Sequence, residues 1–84
     1  MAGLYEIWQR AEVSRRLDVL SGFVAMCVAG DDDARRRLAR LVARAEAALS
    51  ASPPDLEVAS GCLDELVDWA DTEHMHRSYE LLAR

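Results

Sequence analysis

Lysine is absent from this chain of 84 residues, and it contains only four glycines, two prolines and two cysteines. An all-β domain needs turn residues between its strands, so this scarcity argues against a sandwich or a barrel. Alanine, leucine, arginine and glutamate, which favour helices, are the common residues. With 51% apolar residues and interspersed charges, the composition is that of a folded chain. We predict an all-α fold, with residues 1–84 forming a single helical domain.

Long apolar segments are also missing. The most apolar stretch, residues 19–29, is shorter than the roughly 18 residues that a membrane span needs. The N-terminus lacks the basic segment and apolar stretch of a signal peptide. We therefore expect a cytoplasmic protein that does not associate with membranes. In that compartment, Cys27 and Cys62 are expected to be reduced, buried thiols without a disulfide between them.

The motifs of most enzymes and metal sites are absent as well. No glycine-rich loop could hold a phosphate, and no cysteine or histidine pair has the spacing of a zinc site. On a helix, His74 and His76 lie about 200° apart and cannot bind one ion together. Glu73 and His76 form half of a di-iron ligand set that has no second copy in the chain. We expect no enzyme, no metal and no other cofactor; a metal-binding or redox domain in residues 74–80 is the least favoured hypothesis.

Local signals place the two helices in the second half of the chain. The aspartates at 31–33 provide an N-cap and an acidic first turn for a helix over 32–51, which the proline pair at 53–54 ends. Pro54 and the acids after it predict the first turn of a helix over 54–71. Leu41 and Leu66 lie in the middle of the apolar stripes and are expected to be core residues.

The phase of the apolar pattern changes near both ends of the chain. Residues 4–29 predict a first helix, but its two stripes lie on opposite sides, so this helix is either continuous or broken near residue 13 or 21. We expect Gly30 to end this helix in the C′ position. After residue 71 the apolar positions continue the acidic side, so a separate helix over 72–83 is favoured over one long helix. The expected architecture is a small bundle of three to five helices.

Negative charge is concentrated in residues 53–84, which contain eight acids and two arginines, a net of −6 against −5 for the whole chain. On a helix, four of these acids fall on one face: Glu57, Asp64, Asp68 and Asp71. This row is either neutralised by the arginines of the preceding helix or binds a basic partner. The arginines are Arg36, Arg37, Arg40 and Arg44. The isoelectric point near 4.8 argues against direct binding of nucleic acid.

The aromatic residues Trp8 and Tyr79 lie on apolar stripes that, because of the phase changes, do not face the predicted core. Uncovered stripes of this kind mark a partner site or a homodimer interface. The leading hypothesis is a non-enzymatic acidic helical protein that binds stoichiometrically to a basic surface of a larger protein. Its partner-binding residues would be the four acids of the row together with Trp8 and Tyr79.

Small size, acidity and the lack of catalytic residues suggest a narrower guess within that class. The protein would be an inhibitor or adaptor of nucleic-acid-handling machinery, for example a phage- or plasmid-borne inhibitor of CRISPR defence. The alternative hypothesis is a structural helical homodimer or assembly module, which the phase changes favour.

Overall fold

Three α-helices form the structure of this protein, a computed structural model that describes the backbone of residues 3–83 and the side chains of residues 3–76. Helix α1 is Leu4–Cys27, α2 is Asp32–Ser50 and α3 is Leu56–Ala83. Each helix packs against both others, and no strand occurs within residues 3–83. The short connections make successive helices antiparallel, so α1 and α3 run parallel. The predicted all-α bundle is confirmed, with three helices.

Helix α2 begins and ends close to where its capping signals predict. The Asp31 carboxylate accepts a hydrogen bond from the Ala34 amide at 3.1 Å, which satisfies one of the free N–H groups of the first turn. Asp32 and Asp33 occupy that first turn, where the helix dipole favours negative charge. The helix ends at Ser50, one residue before the predicted end.

Helix α1 is continuous, so of the two possibilities left open by the sequence the break near residue 13 or 21 does not occur. The Ser21 hydroxyl donates to the Asp18 carbonyl at 3.2 Å, which accommodates this polar residue inside the helix. The helix ends at Cys27, two residues earlier than expected, and the Val28 amide makes the closing bond to the Val24 carbonyl at 3.0 Å. Because the C-cap is Val28, Gly30 does not occupy the predicted C′ position, and its φ is not positive.

Helix α3 is likewise continuous, and the separate helix predicted over 72–83 does not form. The Thr72 hydroxyl donates to the Asp68 carbonyl of its own helix at 2.9 Å and does not cap a new one. At the other end, Leu56 is the first helical residue in place of Pro54. The cause is Asp55, whose carboxylate accepts the Val58 amide at 3.1 Å as an N-cap.

The core runs along the axis of the bundle and is entirely apolar among the described side chains. Leu41 is 8% exposed and Leu66 is fully buried, so both predicted core positions are confirmed. Cys62 is buried and Cys27 half-buried, and both are free thiols. Within the described residues, no helix combines the length and the apolarity that crossing a membrane requires.

Candidate functional site: the acidic face of α3 and its flanking grooves

The four predicted acids form an exposed row on α3, called the acidic row below. All four side chains are exposed, and they lie on the opposite side of the helix from its buried residues. At 1.5 Å of rise per residue, the row extends for about 21 Å along the helix axis. The row consists of Glu57, Asp64, Asp68 and Asp71. Because α3 is held on its other side by α1 and α2, these carboxylates point away from the bundle.

The arginines of α2 do not make ion pairs with this row. Every ion pair among the described side chains joins two residues of the same helix. Arg36, for example, pairs with Asp33 at 3.8 Å in its own helix. Arg37 reaches across to α3, but its guanidinium lies 4.4 Å from the ring centroid of Trp69, a cation–π contact. In the described structure, direct contact with α2 therefore does not neutralise the acidic row.

A groove of about 300 Å³ between α1 and α3 is lined by Trp8 from α1 and by Asp64 from α3. Leu56 and Leu63 contribute apolar surface, and Arg16 pairs with Glu12 at 3.5 Å along the α1 side. The sequence marked Asp64 and Trp8 for unrelated reasons, one for its charge and one for its place on an uncovered stripe. The parallel arrangement of α1 and α3 makes them neighbours.

A second groove, of about 400 Å³, lies between α2 and α3 on the other side of the row. Its lining includes Asp68 from the row, together with Glu65 and Glu73, two acids that sequence reasoning did not select. They were missed because they lie off the strict line of the row, although a wider angular window would have included Glu65. Trp69, half-buried under Arg37, forms part of this groove. The acidic row therefore lies between two grooves, each of which contains a tryptophan.

The first turns of α1 expose a cluster of large apolar side chains. Trp8 is 61% exposed and its ring stacks on Tyr5, with centroids 6.4 Å apart. Leu4 and Ile7 are also more than half exposed. The predicted contact residue Trp8 is thus accessible. Tyr79 lies outside the described side chains.

The two histidines occupy exposed positions of α3. Among the described side chains, no group of three or more histidine, cysteine, aspartate or glutamate residues is placed to hold a metal ion. The expectation that the protein needs no metal or other cofactor remains a prediction.

Treatment with a chelator is expected to leave the melting temperature and the helical circular dichroism unchanged. The reason is that His74 and His76 diverge on the helix and no described cluster completes a ligand set. Metal content should be measured on protein purified without added metal, with a His74→Ala, His76→Ala variant as the control. Stoichiometric zinc or iron in the parent, lost in that variant, would contradict this prediction.

Comparison with models of protein families, with curated proteins and with solved structures finds no match to this chain. The function must therefore be inferred from the surface itself. That surface consists of an exposed acidic row, a groove on each side of it, and an apolar cluster at the start of α1.

Proposed function

We propose that this protein is a non-enzymatic binding module that engages a basic surface of a larger protein through the acidic row. The observation that carries the proposal is the exposure of four carboxylates along one side of α3, with no described ion pair to the arginines of α2. Because no internal pair has to break, binding a basic surface would sacrifice no described contact within the fold. A helix held along its length by two others also fixes the spacing of the charges before binding.

The chemistry of the row defines the partner. Carboxylates bind arginine through paired, charge-assisted hydrogen bonds, so a surface lined by arginine fits best. The flanking grooves offer apolar surface from Leu56, Leu63 and Trp69 to residues beside those arginines. Charges of this kind accelerate the encounter of the two proteins, and salt weakens the attraction. Trp8, beside Asp64, and Tyr79 remain predicted contact residues.

Proteins that handle nucleic acid present the kind of surface that the row would fit, because they line their grooves with arginine and lysine to contact phosphates. The acidic row is about 21 Å long, so it fits along part of such a groove. Within our proposal, the narrower suggestion is therefore an inhibitor or adaptor of nucleic-acid-handling machinery. A cytoplasmic inhibitor of CRISPR defence encoded by a phage or plasmid is one example. Its support is the acidity of the chain and the position of its charge.

Reversing two charges of the row, Asp64→Arg together with Asp68→Arg, is expected to abolish binding. The probe is an immobilised amphipathic peptide that contains arginine and leucine residues in alternation. Its binding to the protein is measured by interferometry at low and at physiological salt. Neither residue makes a described ion pair or is buried, so the free energy of unfolding should change by less than about 0.5 kcal/mol per substitution. The melting temperature should consequently stay near that of the parent.

The matched control is Glu6→Arg together with Glu46→Arg, which changes the net charge by the same amount at exposed acids of α1 and α2. This control should retain most of the binding. Equal loss in both variants would show attraction by net charge alone and would contradict a role for the row. A row variant that is destabilised but still binds would show that the carboxylates neutralise the arginines of α2 and that the interface lies elsewhere.

A further inference from the structure

The outward side of α1 carries large apolar side chains towards both ends of the helix, with Arg15 between them, and nothing in the described structure covers this side. Seven exposed positions repeat there at helical spacing, and we name them the outer stripe: Leu4, Trp8, Ala11, Arg15, Val19, Gly22 and Met26. The four large apolar members, Leu4, Trp8, Val19 and Met26, are 61% to 86% exposed. Buried Leu17 and Val24 lie on the opposite side of the helix. Large apolar side chains grouped on one exposed face in this way mark an interaction surface.

The spacing of the outer stripe is the same in both directions along the helix. Successive members are separated by 4, 3, 4, 4, 3 and 4 residues. An antiparallel second copy, related by a two-fold axis at Arg15, therefore places each member opposite another member. Trp8 comes opposite Gly22, and Ala11 comes opposite Val19. Large residues meet small ones in both of these pairs, which lets two helices approach closely.

Gly22 has no explanation within the monomer. It lies in the interior of a 24-residue helix, where glycine costs roughly 0.5–1 kcal/mol relative to alanine. Its φ is not positive, and a Cβ added there would meet nothing within 4 Å. The residue is exposed, so neither backbone conformation nor packing requires it. The close approach of an indole ring from a second copy does require a position without a side chain.

The charges of α1 also suit a second copy. Residues 1–30 contain three acids and three arginines, whereas residues 53–84 carry a net of −6. Two copies therefore meet without net repulsion through α1 and would repel each other through α3. Near the two-fold axis, Glu12 binds Arg15 and Arg16 within each copy. Across the axis, each Glu12 comes within reach of the arginines of the other copy and offsets the approach of the two Arg15 side chains.

The size of the strip indicates how tightly two copies would associate. A 24-residue helix is about 36 Å long and, with side chains, about 10 Å wide. The strip thus covers about 360 Å² in projection on each copy, and its corrugated side-chain surface is larger. Two copies together cover about 720 Å² in projection, below the total of about 1,000 Å² that a stable interface buries, so we expect a weak dimer that forms at high protein concentration.

We infer that the outer stripe of α1 is a self-association surface, on which a second copy of this chain packs antiparallel. The inference does not depend on the proposed function. It assigns the exposed side of Trp8 to the second copy and leaves the acidic row of each copy on the outside. The assembly would present two acidic rows to a partner.

Substitution of Gly22 tests the inference, because leucine there blocks the indole of the second copy but meets open space in the monomer. Sedimentation of the full chain across a wide range of concentrations should show a dimer for the parent and only monomer for Gly22→Leu. The melting temperature of the variant at low concentration should be unchanged or raised, since leucine is the better helix former. The matched control is Gly61→Leu, on exposed open surface of α3, which should still dimerise.

Cross-linking tests the direction of the two helices, in a Cys27→Ala background. Arg15→Cys should form a disulfide-linked dimer under mild oxidation, because the two-fold axis passes beside that position. Leu4→Cys should not, because its counterpart lies at the far end of the helix. A parent that is monomeric at every concentration, or loss of the dimer in both leucine variants, would overturn the inference. Efficient linking through Leu4→Cys would overturn the antiparallel arrangement.

Discussion

Replacing Leu66 by alanine is expected to lower the free energy of unfolding by about 2–5 kcal/mol. Leu66 is fully buried near the middle of α3 and belongs to the cluster that all three helices share. Removing its methyl groups loses their burial and leaves a cavity that neighbouring side chains can only partly fill. The free energy of unfolding of a small domain is only about 5–15 kcal/mol, so this loss is a large fraction of the stability.

Denaturation in urea, followed by circular dichroism, measures the effect. The matched control is Val67→Ala at the next residue of the same helix, where the side chain is 36% exposed. We expect a much smaller change there, because fewer contacts are lost. Equal midpoints for the two variants would contradict the placement of the core on α3.

Enlarging Ala45 to leucine is expected to destabilise the protein by about 1–3 kcal/mol. Ala45 on α2 and Ala59 on α3 are both completely buried. The hydrogen bond from the Asp55 amide to the Ala48 carbonyl and the contact of Arg37 with Trp69 set the antiparallel register that places these two alanines near each other. Extra methyl groups at that point force the helices apart or force side chains out of their preferred rotamers.

Thermal unfolding measures this second effect, since 1 kcal/mol corresponds to roughly 4–8 °C in a domain of this size. The control is Ala47→Leu, the same change at an exposed position of α2, which should leave the melting temperature nearly unchanged. If Ala45→Leu has the same melting temperature as the parent, α2 and α3 are not in close contact at Ala45.

The boundaries of α2 could be predicted from the sequence, because they depend on local chemistry. The aspartates at 31–33 and the prolines at 53–54 act on their own backbone, so α2 was predicted to within one residue. The break predicted in α3 was wrong, and the one left open in α1 does not occur, for the same physical reason. A change of apolar phase arises from a broken helix, and equally from a continuous helix that leaves one apolar face uncovered. Trp8 and Val19 show that α1 is the second case.

Part of the candidate site could also be predicted. Helical spacing alone placed the acidic row on one face, opposite Leu66. Whether the arginines of α2 reach that face depends on how α2 is rotated about its axis, and no local signal contains that rotation. Arg37 packs on Trp69, a contact that only the assembled helices define. The proximity of Trp8 to Asp64 likewise arises from the parallel alignment of α1 and α3.

The confinement of each described ion pair to a single helix has an evolutionary consequence. Within the described part of the chain, apolar contacts and the Arg37–Trp69 contact hold the helices together, and no carboxylate–arginine pair does. Most surface charges can therefore mutate, even to the opposite sign, without disturbing how the helices pack. Descendants that keep the apolar spacing and exchange their charges would fold alike, recognise different targets and share few identical residues.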